Sequence, residues 1–285
     1  MTRTAVFFTT HVINKRVTAH FCKLRDELPE GYQLTLFYDE AHLSERAARN
    51  LAGDALLPHK GNDWQRFKRP GRLSSAKIPG NEEALMFSAL DRLPGYDWYW
   101  YIEYDVAFSG NWGKFFSATE QADADLLAVN MIRRGAIPNW PLWRSLEIPP
   151  GLEVAHSGWV RAHFAIARIS RRLPEVLIPV YKQGWAGNSE GLLATLAEQH
   201  GLRIEDIGGD GEFVKTGNTN RFYRSTPAND SLGPGTFVFR PAMEKPGDDP
   251  DMLWHPVKKA SRNDWDRRDN LLFRLIDLVR SKLHG

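Results

Sequence analysis

A single cysteine, Cys22, stands in 285 residues, so the chain can form no internal disulfide and hold no zinc cluster built from cysteines. Its spacing from Phe21 and Leu24 predicts a buried helix face for it. Charge of one sign is missing too. The formal net charge of +2 gives no field that would gather nucleic acid or an anionic membrane. No apolar run approaches the roughly 20 residues that cross a bilayer. The start, MTRTAVFFTTHVINKR, has too short an apolar stretch for a signal peptide, so a cytoplasmic protein is expected. There is no internal repeat and no low-complexity linker. There is also no Gly-x-Ser-x-Gly elbow, which counts against a serine hydrolase, and Cys22 has no catalytic setting. The GGDG at 208–211 reads as a turn signal rather than a phosphate loop. What remains is ordinary globular composition, 42% hydrophobic and 25% charged, with ten tryptophans.

The pattern along the chain predicts α/β architecture. TAVFFTT (4–10) is a β-branched and aromatic strand, and Val17, Phe21, Leu24 and Leu28 follow at helical spacing. QLTLFYDE (33–40) is a second strand ending in acids. Strand, helix, strand within forty residues favours a parallel sheet. A helix over 41–53 stops at Gly53, and 54–80 shows no persistent period. Asn81 is a candidate cap for a helix over 82–92, with Glu82 and Glu83 in its first turn. Strands are expected over 97–104, 125–131, 159–170 and 203–208, and helices over 171–183 and 190–201. Turn residues dominate from 209 to 262, with islands at 237–241 and 252–258. A helix over 264–283 carries a broad apolar stripe from Leu271 to Leu283; it packs on the domain or lies in a membrane interface. The organisation is one catalytic-sized domain, 1–262, and a C-terminal helical appendage, 263–285.

The segment WYWYIEYDVAFSGNW (98–112) carries the chemistry. Apart from Asp97, the run from Tyr96 to Ile102 is apolar or aromatic, which marks a central strand. It delivers Glu103 and Asp105 to its own carboxyl end, where α/β sheets collect ligands. Residues two apart share one side of an extended chain, so both acids face one site and Tyr104 faces away. A carboxylate pair there suits Mg²⁺ or Mn²⁺ shared with a phosphorylated ligand. An isolated acid-x-acid triplet is also common in surface turns.

With its strand–helix–strand opening, its apolar strand ending in Glu103–Tyr104–Asp105 and its late LWHPVK (253–258), the sequence resembles the GT-A fold glycosyltransferases. The Glu-Tyr-Asp triplet stands where that superfamily has Asp-x-Asp or a variant. The resemblance implies a Rossmann-like GT-A fold with a mostly parallel central sheet flanked by helices. It also implies a nucleotide-diphosphate sugar donor, a divalent cation (Mn²⁺ or Mg²⁺) and a carbohydrate or glycoconjugate acceptor. Asp105, Glu103 and His255 then hold the metal, and Lys258 neutralises the diphosphate as it leaves. Glu190, opening the helix after GWAGNS, removes the acceptor proton in an inverting enzyme or orients the acceptor in a retaining one. Its cap is Asn188 or Ser189. Thr9, Thr10 and His11 after the first strand, Asp39 after the second and Glu103 are expected to touch the nucleotide. The basic residues Arg66, Lys68, Arg69, Arg72 and Lys77 form either a flap over diphosphate or a solvated loop. Trp140, Trp143 and Trp185 are candidates to stack on acceptor sugar. Two rivals stand: a nucleotidyltransferase, which TTHVINKR disfavours because it has no glycine, and a catalytically inactive carbohydrate- or nucleotide-sugar-binding protein. No nucleic-acid partner is expected, and peripheral membrane contact falls to the C-terminal helix.

Overall fold

The computed structural model describes residues 3–60, 62–68, 80–224, 235–239 and 242–259, the side chain of Trp64 excepted. The expected helix at 264–283 and the basic residues Arg69, Arg72 and Lys77 lie outside the described residues. The chain opens with β1 (Thr4–Thr10), α1 (Lys15–Glu27), β2 (Tyr32–Asp39), α2 (Glu45–Ala52) and β3 (Leu56–His59). Next come α3 (Glu82–Arg92), β4 (Trp98–Glu103), β5 (Ala107–Phe108), α4 (Trp112–Thr119) and β6 (Leu126–Arg133). It continues through β7 (Val160–Ser170), α5 (Arg172–Lys182), α6 (Ser189–Gln199), β8 (Ile204–Asp206) and β9 (Leu253–Trp254). The seven-stranded central sheet runs in the order β3-β2-β1-β4-β7-β6-β8. Every strand in it is parallel to its neighbours except β7, which is antiparallel to both β4 and β6.

The reversal of β7 follows from its connection. A parallel neighbour needs a crossover, usually a helix, whereas the chain between β6 and β7 has only two short 3₁₀ turns, Pro141–Ser145 and His156–Gly158. Both faces of the sheet are covered, so the central strands are apolar at consecutive positions. On β1, Ala5 and Phe7 pack into a core with α3, α5 and α6, while Val6 and Phe8 pack on the other face with α1 and α4. β4 alternates likewise: Tyr99 and Tyr101 join the first core, Trp100 and Ile102 the second. That alternation places Glu103, two residues beyond Tyr101, on the face that carries α3 and α6.

Local signals explain most boundaries. Asn14 caps α1, its side-chain oxygen accepting from the backbone N–H of Arg16 and Val17; such a cap is worth about 1 kcal/mol. Gly53 ends α2 at φ +61°, a conformation that favours glycine. Three expectations need correction. The aperiodic stretch 54–80 contains β3, too short at four residues for its period to register. Asn81 makes no capping hydrogen bond to α3; the Ser189 hydroxyl accepts the Glu82 N–H from across the domain (3.1 Å). Cys22 is only half-buried, because Phe21 and Leu24 occupy the inward face of α1. No helix among the described residues is long and apolar enough to cross a membrane.

Candidate active site

A cleft of about 720 Å³ opens where β1, β2 and β4 end, a volume in the range of small-molecule sites. Across it runs a register the sheet fixes. Asp39 stands level with His59, and Thr9 with Glu103. Beyond β4, the cleft is walled by His163 and Ala165 of β7, with Glu190 from α6 and Glu82 from α3 above them.

Glu103, Asp105 and His255 are brought together, one ligand atom from each lying within 4.8 Å of the others. How residues so far apart in sequence meet is a matter of backbone pairing. Immediately after Asp105 the chain forms β5, which pairs antiparallel with β9, so Ala107 faces Trp254 and Phe108 faces Leu253. The Val257 N–H then donates to the Asp105 carbonyl (2.7 Å). His255 and Lys258 flank that clamp. Asp105 is 1% exposed. Its Oδ2 accepts from Lys258 Nζ at 2.9 Å, while its Oδ1 accepts no hydrogen bond and lies 3.8 Å from His255 Nε2. A buried carboxylate oxygen left so costs about 1–3 kcal/mol, more for a charged group.

His255 presents one ring nitrogen toward Asp105. Its Nδ1 lies 2.7 Å from the Val238 carbonyl; a carbonyl only accepts, so Nδ1 carries the proton and Nε2 keeps its lone pair toward Asp105. Metal-ligating histidines are held in this way. Burial lowers the His255 pKa, which keeps the ring neutral. Burial, then the negative charges of Asp105 and Glu82, push the Glu103 pKa well above the carboxylate range against the opposing Lys258. Burial also works against the Lys258 ammonium, but the charge and hydrogen bond of Asp105 outweigh it and raise its pKa. Two acids, one with a bare buried oxygen, and a neutral imidazole form a donor set that fits a divalent cation of the Mn²⁺ type.

Glu190 lies in the first turn of α6, its N–H donating to the Asn188 side chain (2.9 Å), so Asn188 is the cap. Burial, assisted by the charge of Glu82 and opposed by Arg161, pushes its pKa up to about 7. Glu82 is itself buried, accepting from the Gly80 N–H (2.7 Å) and the Ser189 hydroxyl. Its role is therefore to fix the mouth of α6 to α3, rather than to complement a helix dipole in solvent.

Thr9, Thr10, His11 and Asp39 all line the cleft. The Thr10 hydroxyl is committed to the Val12 backbone, donating to its carbonyl (2.6 Å) and accepting from its N–H (3.1 Å). Asp39 accepts from the Ala41 N–H (2.9 Å) and pairs with His42 (2.7 Å). Tyr104 was expected to face away. It lines the cleft instead, edge-on to His11 at 5.0 Å, because the strand ends at Glu103 and the alternation ends with it.

The tryptophans are placed elsewhere. Trp143 and Trp185 are 3% exposed core residues, and Trp143 donates to the Ile137 carbonyl (2.8 Å). Trp140 packs edge-on against Trp143 at 4.7 Å and carries the Arg161 guanidinium 5.7 Å from its ring. None of the three lines the cleft. A Cβ on Gly191 would stand 3.2 Å from Trp140 and 3.4 Å from Trp143, so these rings support the α6 turn bearing Glu190 from behind. Lys68 also turns inward, forming a fully buried ion pair with Glu83 (2.6 Å) and donating to the Gly187 carbonyl (2.8 Å). The GGDG turn serves the fold: Gly208 and Gly209 donate to the Asp206 carboxylate, both at 2.9 Å.

Sequence reasoning missed His163, His59 and His42, which line the same cleft. His163 lies 3.9 Å from Glu190, with its ring 4.9 Å from that of His255. The signal available was Arg161 and His163, polar residues two apart in the first, otherwise apolar, half of β7 and so on one face of it.

No family model matches the chain, and no curated protein matches it. Solved structures do. Mouse xyloside xylosyltransferase 1 is similar over 73% of this chain and 85% of its own, at 12% identity and TM-score 0.40. The mannosyltransferase Ktr4p from S. cerevisiae, solved with GDP, is similar over 72% of this chain and 69% of its own, at 12% identity and TM-score 0.43. The inositol-1-phosphate CTP transferase from T. maritima is similar over 73% and 86%, at 9% identity and TM-score 0.39. Likeness this distant leaves function to be argued from the site's own residues.

Proposed function

We propose that the protein is a metal-dependent glycosyltransferase that uses a nucleotide-diphosphate sugar. The observation that carries this reading is the set of Glu103, Asp105 and His255 at the end of the central strand. Its buried Asp105 oxygen lacks a hydrogen bond, and it lines a nucleotide-sized cleft together with Glu190, a carboxylate with a pKa of about 7. These three residues would hold the cation, which would supply charge stabilisation for the diphosphate. Thr9, His11, Asp39 and His59 line the side that receives the nucleoside. Lys258 is held beside Asp105 as a fixed positive charge toward the leaving diphosphate.

In the reaction, the acceptor O–H gives its proton to the Glu190 carboxylate as its oxygen bonds to the anomeric carbon. The bond from that carbon to the diphosphate oxygen breaks, and its electron pair leaves with the nucleotide. A base with a pKa near 7 is half ionised at neutral pH and well matched to this transfer. Alignment of the two sugars in one cleft contributes further.

A thermal-shift panel of nucleoside diphosphates with and without Mn²⁺ tests the reading. One nucleotide is expected to raise the melting temperature only with the metal, and Asp105→Asn is expected to abolish that rise. A wild-type protein stabilised by no nucleotide in the presence of Mn²⁺ would sink the proposal. Nucleotide-sugar hydrolysis that needs Mn²⁺ separates an enzyme from a binding protein of the same architecture.

A further inference from the structure

Among the described residues, three lysine or arginine side chains are buried: Lys68, Arg168 and Arg161. Two of them are compensated. Lys68 has its ion pair with Glu83 and the Gly187 carbonyl. Arg168 donates to the carbonyls of Thr119, Ala122 and Ala124. Arg161, 9% exposed, has neither kind of partner among the described residues. Its Nε is sealed from solvent without a hydrogen bond. Nη1 and Nη2 make no hydrogen bond either but are not sealed, so the guanidinium opens at its outer edge. The Trp140 ring lies 5.7 Å from it, near the limit of a cation–π contact, which is too weak to offset a buried charge.

The place of this charge is fixed from two sides. The last residue of β7 to pair with β4 is Ile166, opposite Ile102, so residues 160–165 run on past the end of β4. His163, which lines the cleft, and Arg161 share one face of this extension, about 7 Å apart along the strand. On the other side, α6 is tied to the same extension. The Val160 N–H donates to the Thr195 hydroxyl (2.9 Å). A Cβ on Gly191, next to Glu190, would stand 3.2 Å from the Trp140 ring that Arg161 also approaches. Arg161 and Glu190 accordingly act on each other's proton affinity, yet no nitrogen of one comes within 4.0 Å of an oxygen of the other. The residues assigned to the nucleoside are remote from this end: β7 stands three strand spacings from β2, about 14 Å.

We infer that Arg161 receives a carboxylate of the acceptor, and that the acceptor is therefore an acidic saccharide of the uronate type. This rests on the glycosyltransferase reading and adds to it the acceptor's charge and the residue that selects it. The two outward Nη groups match the two oxygens of a carboxylate. One guanidinium balances one negative charge, whereas a phosphate ester dianion would leave an excess beside Glu190 and Glu82, which line the cleft. A pyranosiduronate spans this arrangement, its carboxylate on Arg161 and a ring hydroxyl on Glu190.

Saturation-transfer NMR titration of the full chain with Mg²⁺, alone and with UDP or GDP, tests the site without requiring turnover. The probes are the methyl β-D-pyranosiduronates of glucose and galactose, their neutral methyl glycosides and glucose 6-phosphate. At least one uronate is expected to bind about tenfold or more tightly than its neutral counterpart. Arg161→Gln should bring that ratio within about twofold while the neutral glycoside binds as before, and Arg161→Lys should keep part of the preference. Arg161→Gln should also melt no lower than wild type, since it removes an uncompensated buried charge. A purely structural arginine predicts the reverse, a lower melting temperature with the ratio unchanged, and that result overturns the inference. So does a wild type with no uronate preference, or one that binds glucose 6-phosphate as tightly as the uronate. An Arg161-dependent preference seen only between UDP-glucuronate and UDP-glucose puts the carboxylate on the donor and overturns it too. Arg161-dependent uronate binding by a protein that no nucleotide stabilises would leave the carboxylate site standing and overturn the donor reading instead.

Discussion

Replacing Glu190 by Gln tests the site through stability as well as rate. The fold raises this carboxyl from its ordinary 4.5 to about 7, chiefly by burial. Each tenfold change in proton affinity is worth about 1.4 kcal/mol, so ionised Glu190 costs the folded state up to about 3 kcal/mol. The side chain is 22% exposed, and solvent screening reduces the cost to about 2 kcal/mol. The sign follows from proton binding. Between pH 4.5 and 7 the unfolded chain releases this proton while the folded chain keeps it, so this group makes the wild type less stable as pH rises. Below pH 4.5 the carboxyl is neutral in both states and the penalty vanishes. Glu190→Gln should therefore melt with the wild type at pH 4.5 and about 4–8 °C above it at pH 8.5, in chelator-treated buffer. Turnover should fall by a factor of about 10²–10⁴, with the acidic limb near pH 7 lost from its pH profile. A difference in melting temperature that is the same at both pH values would refute the assignment of a raised pKa to this carboxyl.

Two further variants probe the frame around it. Lys68→Ala removes the cation from its fully buried pair with Glu83 and should cost about 3–5 kcal/mol in urea unfolding, whereas Lys68→Met with Glu83→Leu should come within about 1–2 kcal/mol of wild type. A single variant as stable as the double would mean that the pair is solvated. Lys258→Met should lower kcat for nucleotide-sugar hydrolysis about 10²-fold, since a fixed charge beside the leaving group is lost; unchanged kcat would remove Lys258 from the diphosphate.

The elements legible in the sequence are those whose burial writes a period into it. β1, α1 and β2 were readable because each packs a full face against the sheet or its core. β4 was readable because both of its faces are covered. Glu103 and Asp105 were legible as acids at and just beyond the carboxyl end of that strand. His255 and Lys258 came only through a family resemblance, since nothing local to residues 253–258 announces that they will pair with β5. β3 escaped because four residues carry too little alternation. His163 escaped because a long apolar strand tolerates a histidine without disclosing which face it takes. The tryptophans were misjudged for a related reason: composition counts rings, but not what roofs them. Trp140 and Trp143 are consumed in holding α6, while the cleft is lined by Tyr101, Tyr104, Phe164 and Phe239. Tyr104 shows the limit of parity, which lapses one residue after the strand does.

The clamp of β9 on β5 also has a temporal meaning. β4 and its acids emerge from the ribosome early, and β1, β2 and β4 can pair while the later strands are still unmade. At that point Asp105 has neither the lysine that neutralises it nor the histidine beside it. On the reading proposed above, the candidate cation site is complete only once residues 253–258 pair beside β5, because His255 and Lys258 come from that segment. On that reading, a chain lacking residues 253–258 would have Glu103 and Asp105 without the imidazole and the ammonium that complete the set.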